Sequence, residues 1–393
     1  MPVCREEMRF PRNRSNCGTT IFAGVSLCIL VVIYVYASPR RATTSTELLV
    51  EKPNPKPDYR AARVDIEVEN SGVMVFLHIQ KTGGTEFGRH LLFLDVGRPC
   101  QVPRKGSGRA MKAPKGSKCF RPGKSPGESK SEKEMWLFSR FTRGWPCGLH
   151  ADWTELHECV EKTINRKEGP KERQFFYVTI LREPVARFLS EFAHVKRGAT
   201  WASQHHCNKK PVTQKQLPDC YPGFSKRKRW PNVSLDNFLS CKSNLGINRQ
   251  TRMLANLSLV DCYNTNTYPQ KERDEMMLNS AMINLRTLAY FGLNEYQTET
   301  KELFEYTFGL KFMDQFSMRN ESKVNARAEQ EVLTDDDIAK IEETNDLDIQ
   351  LYSYAKKLFL ERVKAMKNNS TFRWTKYQQY LLLVNDDTID DET

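Results

Sequence analysis

The stretch FLHIQKTGGTEFGRH, residues 76–90, decides the fold. It overlaps an apolar run at 73–79 (VMVFLHI) whose β-branched and aromatic residues fit a buried strand. Lys81, Thr82, Gly83, Gly84 and Thr85 follow, and a helical stretch begins at Thr85 and runs to Leu92. A strand that turns through glycines into a helix lets backbone N–H groups close on phosphate oxygens. Lys81 adds a point charge, and Thr82 and Thr85 add hydroxyl donors. The pattern is not a Walker A loop, because Lys81 precedes the glycines and no Gly-Lys-Ser/Thr follows them. A plain strand-to-helix turn is the simpler alternative for this stretch taken alone.

Working outward, residues 175–181 (FFYVTIL) read as a second buried strand and 288–293 (LAYFGL) as a third. Residues 184–194, 236–257, 272–288 and 301–308 read as helices. Thr334, followed by Asp335, Asp336 and Asp337, marks a helix N-terminus: a capping hydroxyl with carboxylates at the positive dipole end. Apolar residues at Ile338, Ile341, Leu347, Leu351, Tyr354, Leu358 and Val363 predict one helix continuing with a single buried face. Strands alternating with helices predict an α/β body with a central parallel sheet flanked by helices, spanning residues 71–366. Two basic, Pro-containing inserts at 98–133 and 209–229 interrupt it.

The chain carries 60 Lys and Arg against 48 Asp and Glu, a formal +12, so polyanions are the favoured partners. The compartment narrows them. Residues 17–37 are uncharged and almost wholly apolar, long enough to span a bilayer, with Tyr34 and Tyr36 at one end. No small-residue cleavage site follows, which argues against a removed signal peptide. Basic residues Arg5, Arg9, Arg12 and Arg14 precede the span and predict a cytosolic tail at 1–16. A Pro- and charge-rich stem is expected at 38–70 and an acidic tail closing residues 367–393. Eight cysteines follow the span, an even number that suits disulfides in an oxidising lumen. They leave the connectivity open, with pairing of sequence neighbours as one guess. Sequons begin at Asn232, Asn256, Asn320, Asn368 and Asn369. A lumenal body excludes nucleic acid and leaves an acidic polysaccharide as the partner.

A second anion-binding segment is TILREPVARFLS, residues 179–190. Arg182 at a strand end and Ser190 two helical turns on can converge on one dianion. His205 and His206 beside Cys207 are too sparse for a metal site.

HIQKTGG, WLFSRFTRGWPCGLHADWTEL, LREPVARFLSEFAHVKRGATW and NDLDIQLYSYAK together resemble the heparan sulfate 6-O-sulfotransferases, in order, from about residue 73 to 359. The resemblance implies a P-loop-like sulfotransferase fold in a single-pass type II Golgi membrane protein. It implies 3′-phosphoadenosine 5′-phosphosulfate as sulfuryl donor, no metal, and heparan sulfate as acceptor. On this resemblance His78, Ile79, Gln80, Lys81, Thr82, Gly83, Gly84 and Thr85 meet the phosphosulfate end of the donor, and Arg182 and Ser190 its 3′-phosphate. Ser317, Met318, Arg319, Ser322 and Lys323 resemble a late nucleotide segment. Arg140, Trp145, His194 and Trp201 resemble glycan contacts, and His150 the proton acceptor, with Lys81 assisting at the leaving phosphate. Lys115, Lys118 and Arg121 in the first insert are further candidates for the glycan. Glu86 departs from the family's usual Thr, and would have to turn outward or pair with Arg89. Two alternatives stand beside this expectation: a non-catalytic, membrane-anchored heparin-binding protein, and a sulfotransferase for another glycan position.

Overall fold

The computed structural model describes residues 62–63, 72–95, 100–103, 115–121, 134–198, 205–220, 230, 233–318, 333–368 and 372–373. Four parallel strands form the central sheet: β1 (Gly72–Phe76), β2 (Leu137–Phe138), β3 (Gln174–Leu181) and β4 (Tyr290–Leu293), in the order β2-β1-β3-β4. All five residues of β1 and all four of β4 are buried, as expected for a sheet covered on both faces. Phe76 registers with Val178, and Val178 with Tyr290. The chain leaves β1 for β2 on one side and returns to β3 on the other. This reversal opens a crevice at the carboxyl ends of β1 and β3, where α/β sheets bind ligands.

The helices are α1 (Gly84–His90), α2 (Trp153–Glu168), α3 (Pro184–Lys196), α4 (Leu235–Ser240), α5 (Arg249–Leu254), α6 (Gln270–Thr287), α7 (Gln297–Phe308), α8 (Asp335–Thr344) and α9 (Asp346–Lys367). Local chemistry sets several starts. Pro184 opens α3 with the Glu183 carboxylate accepting from the N–H groups of Val185 and Ala186 at 2.9 and 2.7 Å. Asp152 and Glu155 form a capping box on α2, and Thr334 and Asp337 another on α8.

Three expectations need correction. The helix read over 236–257 is broken into α4, α5 and a 3₁₀ turn (Leu257–Val260); Cys241 is cross-linked to Cys220, and Asn248 takes a positive φ of 46°. The C-terminal helix divides at Asn345, whose buried side chain donates to the Ile341 carbonyl at 2.9 Å and accepts from the Asn248 N–H at 3.1 Å. Such a residue offers the backbone an alternative to helical bonding. Arg121, expected on the glycan, is buried instead: its guanidinium donates to the Gly72 carbonyl at the start of β1 and pairs with Glu134.

Four disulfides join Cys100–Cys119, Cys147–Cys159, Cys207–Cys262 and Cys220–Cys241. Neighbour pairing holds for the first two; the last two are nested. A satellite core of Phe188, Phe192 and Val195 from α3 packs with Trp230, Phe238 and Ile341, which fixes the segment held by Cys220–Cys241 against α3. No helix among the described residues is long and apolar enough to cross a membrane. The expected span at 17–37, nearly all of the stem, the acidic C-terminal residues and the sequons at Asn232, Asn320 and Asn369 lie outside the described residues.

Candidate active site

The loop between β1 and α1 carries two left-handed residues, Lys81 at φ 68° and Gly83 at φ 86°. Gly83 is required on steric grounds as well, since a Cβ there would run into the amide nitrogen of Asn294. Asn294 follows β4 and fastens the loop: its side chain donates to the Thr82 carbonyl at 2.9 Å, while its own N–H bonds Leu181 at 2.9 Å. Thr82 is buried and its hydroxyl donates to the Ile79 carbonyl at 3.1 Å. Thr82 thus closes the turn, where the sequence suggested a phosphate donor.

Arg182, just past β3, joins the two expected phosphate segments directly. Its guanidinium donates to the Lys81 carbonyl at 3.1 Å. Its backbone is held on both sides by the amide of Gln250, at 2.9 Å each. Ser190 sits half-buried further along α3. The Gln80 side chain accepts from the guanidinium of Arg249. Arg249 also grips Glu191 through two bonds of 2.9 and 2.5 Å, and Arg187 donates to the same carboxylate at 2.5 Å. All three charges are buried. The two flanking guanidiniums hold the Glu191 carboxyl down at about 2, against a desolvation that alone would raise it. Asp348 of α9 completes the frame, accepting from the N–H groups of Gln250 and Thr251 at 3.1 and 2.8 Å.

His150 meets the loop from the other side. Its Nδ1 lies 3.0 Å from Nδ1 of His78, with the rings stacked at a centroid distance of 4.9 Å. Arg140 reaches the same place and donates to the Thr85 hydroxyl at 3.0 Å. Arg140 was expected on the glycan; the structure sets it against the loop that begins α1. Burial lowers its pKa to about 10, which leaves it a cation at neutral pH. Burial, then the charges of Arg140 and Arg249, push His150 down to about 3, opposed by the His78 carbonyl and Glu191. His78 is likewise pushed well below the ordinary range, by burial first and then by Arg140, His150 and Lys81. Both rings are therefore neutral. Asp152 does not orient His150: it caps α2 and accepts from the Tyr263 hydroxyl at 3.3 Å.

A pH dependence of stability follows. The folded His150 pKa of about 3 is depressed below that of the unfolded chain, so the folded chain binds fewer protons in this interval. Stability is complete above the unfolded value, about 6.5, and is lost as pH falls. Asp152 acts oppositely: burial, then Glu155, raises it to about 8, which costs stability as pH rises through the same window. Urea midpoints measured at about pH 7 and pH 4.5 should fall less with acid in His150→Phe than in the unsubstituted chain; parallel curves would contradict the assignment.

The remaining expected residues divide by position. Ser317 meets Nε2 of His90 of α1 with its backbone: the imidazole nitrogen lies 3.1 Å from the carbonyl and 3.3 Å from the N–H, and bonds one or the other according to its tautomer. Met318 is clasped by the Gln297 amide and lies 3.5 Å from where a Gly83 Cβ would stand, so the late segment does reach the loop. Trp145 packs against Phe138 and donates its indole N–H to the Gly148 carbonyl at 2.5 Å, which makes it a half-buried support of the turn before His150. His194 is exposed on the last turn of α3. Lys115 and Lys118 are exposed, and Ser117 between them bonds the backbones of Phe141 and Arg143 beside Arg140. Glu86 pairs with Arg89 at 2.7 Å. Trp201, Arg319, Ser322 and Lys323 lie outside the described residues. Among the described residues no group of three His, Cys, Asp or Glu is arranged to hold a metal.

Sequence reasoning missed Glu191, Arg249, Gln250, Asn294 and Asp348. Each is polar and lies inside or beside an apolar pattern; only the fold shows that Asn294 and Arg249 reach the loop and that Gln250, Glu191 and Asp348 brace Arg182 and Arg249 behind it.

The sulfotransferase family profile matches residues 64–355. The chain is 44% identical over 359 residues to heparan-sulfate 6-O-sulfotransferase 1-B of Danio rerio, covering 86% of this chain and 82% of that protein. It is 43% identical over 377 residues to heparan-sulfate 6-O-sulfotransferase 1 of Homo sapiens, covering 89% and 84%. The chain belongs to the heparan-sulfate 6-O-sulfotransferase family. Within this family member, the β1–α1 loop, Arg182 and His150 come together at the switch point of the sheet although they are far apart in sequence.

Proposed function

We propose that the protein transfers a sulfuryl group from 3′-phosphoadenosine 5′-phosphosulfate to the 6-hydroxyl of glucosamine residues in heparan sulfate. The observation that carries this reading is the contact of His150 with the glycine loop, 3.0 Å from His78. It places a neutral base beside an anion cradle. The cradle suits the donor: Gly83 and Gly84 leave no room for side chains, and the first N–H groups of a helix lack intrahelical acceptors.

The donor supplies an activated sulfuryl group on a stable leaving bisphosphate. Lys81 and Arg140 set positive charge at the loop, where charge develops on the leaving oxygen. His150 takes the proton of the sugar hydroxyl as the new oxygen–sulfur bond forms and the old one breaks. Its depressed basicity in the ligand-free site stems in part from Arg140 and Arg249, and an anionic ligand offsets those charges and restores it. Arg182 and Ser190 hold the 3′-phosphate, with Ser317, Met318, Arg319, Ser322 and Lys323 along the nucleotide. On the family resemblance, His194 and Trp201 contact the glycan, with Lys115 and Lys118 as further contacts. Residues 17–37 anchor the body in the Golgi membrane with residues 71–366 as the lumenal catalytic domain. The charge-free apolar run and the four disulfides support that placement.

Incubation of the full chain with labelled donor and desulfated heparin, followed by disaccharide analysis, tests the function. Label on the glucosamine 6-position is expected, and label elsewhere or none overturns it. Arg182→Ala should weaken adenosine 3′,5′-bisphosphate binding by roughly 10–100-fold in calorimetry, the range for charge-assisted bonds to a dianion. An unchanged affinity would remove Arg182 from the nucleotide site.

A further inference from the structure

We propose that His78 is a positioning residue: it holds His150 in the tautomer protonated at Nδ1, so that Nε2 is the atom that receives the sugar proton. The inference rests on the reading of His150 as the base.

Two groups of His78 face Nδ1 of His150. One is the ring Nδ1 at 3.0 Å, and the other is the backbone carbonyl at 3.4 Å. A carbonyl can only accept, and an imidazole nitrogen does either. A proton on His150 Nδ1 satisfies both neighbours at once. The opposite assignment would set the His150 lone pair against the carbonyl oxygen and would place the proton on Nε2, where it blocks catalysis. The same logic puts the proton of His78 on its own Nε2 and makes its Nδ1 an acceptor.

His78 is built to hold that position. Its side chain is only 7% exposed and meets Phe76 edge-on at 5.6 Å. A Cβ on Gly84 would stand 2.6 Å from its Cδ2 and 3.0 Å from its Nε2, so the first residue of α1 must be glycine to admit the ring. Arg140, Lys81 and Arg249 supply positive charge around the pair, and Glu191 is the carboxylate that opposes them. A second proton on the pair is thus disfavoured, and one shared hydrogen bond joins two neutral rings. During turnover the hydroxyl proton goes to His150 Nε2, and the Nδ1 proton stays in place, donated to His78.

Nitrogen NMR of the full chain labelled at histidine, with the His150 signals assigned by their loss in His150→Gln, reads the tautomer directly. The Nδ1–H form is expected; a dominant Nε2–H form or an even mixture overturns the proposal. His78→Phe keeps an aromatic ring in the stack and removes the acceptor. It should lower kcat by roughly 10–100-fold and should mix the tautomers. His78→Asn restores an acceptor and should recover part of the loss. A wild-type kcat in His78→Phe would overturn the role. Should His78→Phe fail to fold, the wild-type spectrum still decides. If His150→Ala keeps its rate while the spectrum shows Nδ1–H, the base reading fails and the tautomer assignment survives.

Discussion

His150→Ala is expected to abolish measurable turnover and leave nucleotide affinity near that of the unsubstituted chain. The hydroxyl of a sugar is a weak acid, and a positioned base contributes about 10²–10⁴-fold to such a transfer. His150 enters the site on the turn after Cys147, which is cross-linked to Cys159 of α2, and meets the start of the glycine loop at His78. Its removal leaves the bonds of Asn294, Arg182 and Arg249 to the loop intact. Calorimetry with adenosine 3′,5′-bisphosphate beside a sulfation assay separates the two effects. A rate within a few-fold of wild type would show that another group takes the proton.

Glu191→Gln is expected to destabilise the fold by roughly 3–5 kcal/mol, the range for breaking a buried ion pair from one side. Glu191 is the carboxylate gripped by both Arg187 and Arg249, and the side chains of all three are almost wholly inaccessible. A neutral amide leaves two guanidiniums in a low dielectric with Asp348, 3.7 Å from Arg187 Nε, as a nearby anion. Denaturant unfolding should show a much lower midpoint with a similar slope. A variant within about 1 kcal/mol of wild type would mean that water or rearrangement replaces the carboxylate. Because Arg249 also bonds Gln80, whatever fraction stays folded should bind nucleotide more weakly.

The sequence showed the two ends of the site more clearly than its frame. Residues 76–90 carried their own evidence, since glycines, a lysine and hydroxyls between a buried strand and a helix leave few other uses. Arg182 was visible for the same reason, at the end of an apolar run before Glu-Pro. The strand positions were legible because buried parallel strands are continuous apolar runs, and β1, β3 and β4 fall within three residues of the predicted bounds. The helix α2 went unread: Leu156, Val160 and Ile164 recur at helical spacing but stand singly among charged residues, and its start is marked by the Asp152–Glu155 capping box. The break at Asn345 was hidden because the apolar spacing continues across it. The Glu191 frame could not be read at all, because a buried Glu between two Arg looks like any solvated helix face until the fold joins α3 to α5. Arg121 misled in the same way, as one base among many in a basic insert that turned out to seal the start of β1.

The nesting of Cys220–Cys241 inside Cys207–Cys262 bears on how the chain matures. In N- to C-terminal synthesis Cys207 is followed first by Cys220, then by Cys241, and by its native partner Cys262 last. Capture by either early thiol leaves the segment on α3 mis-tethered and strands another cysteine. Correct maturation therefore requires that Cys207 stay reduced or be released by thiol exchange until Cys262 arrives.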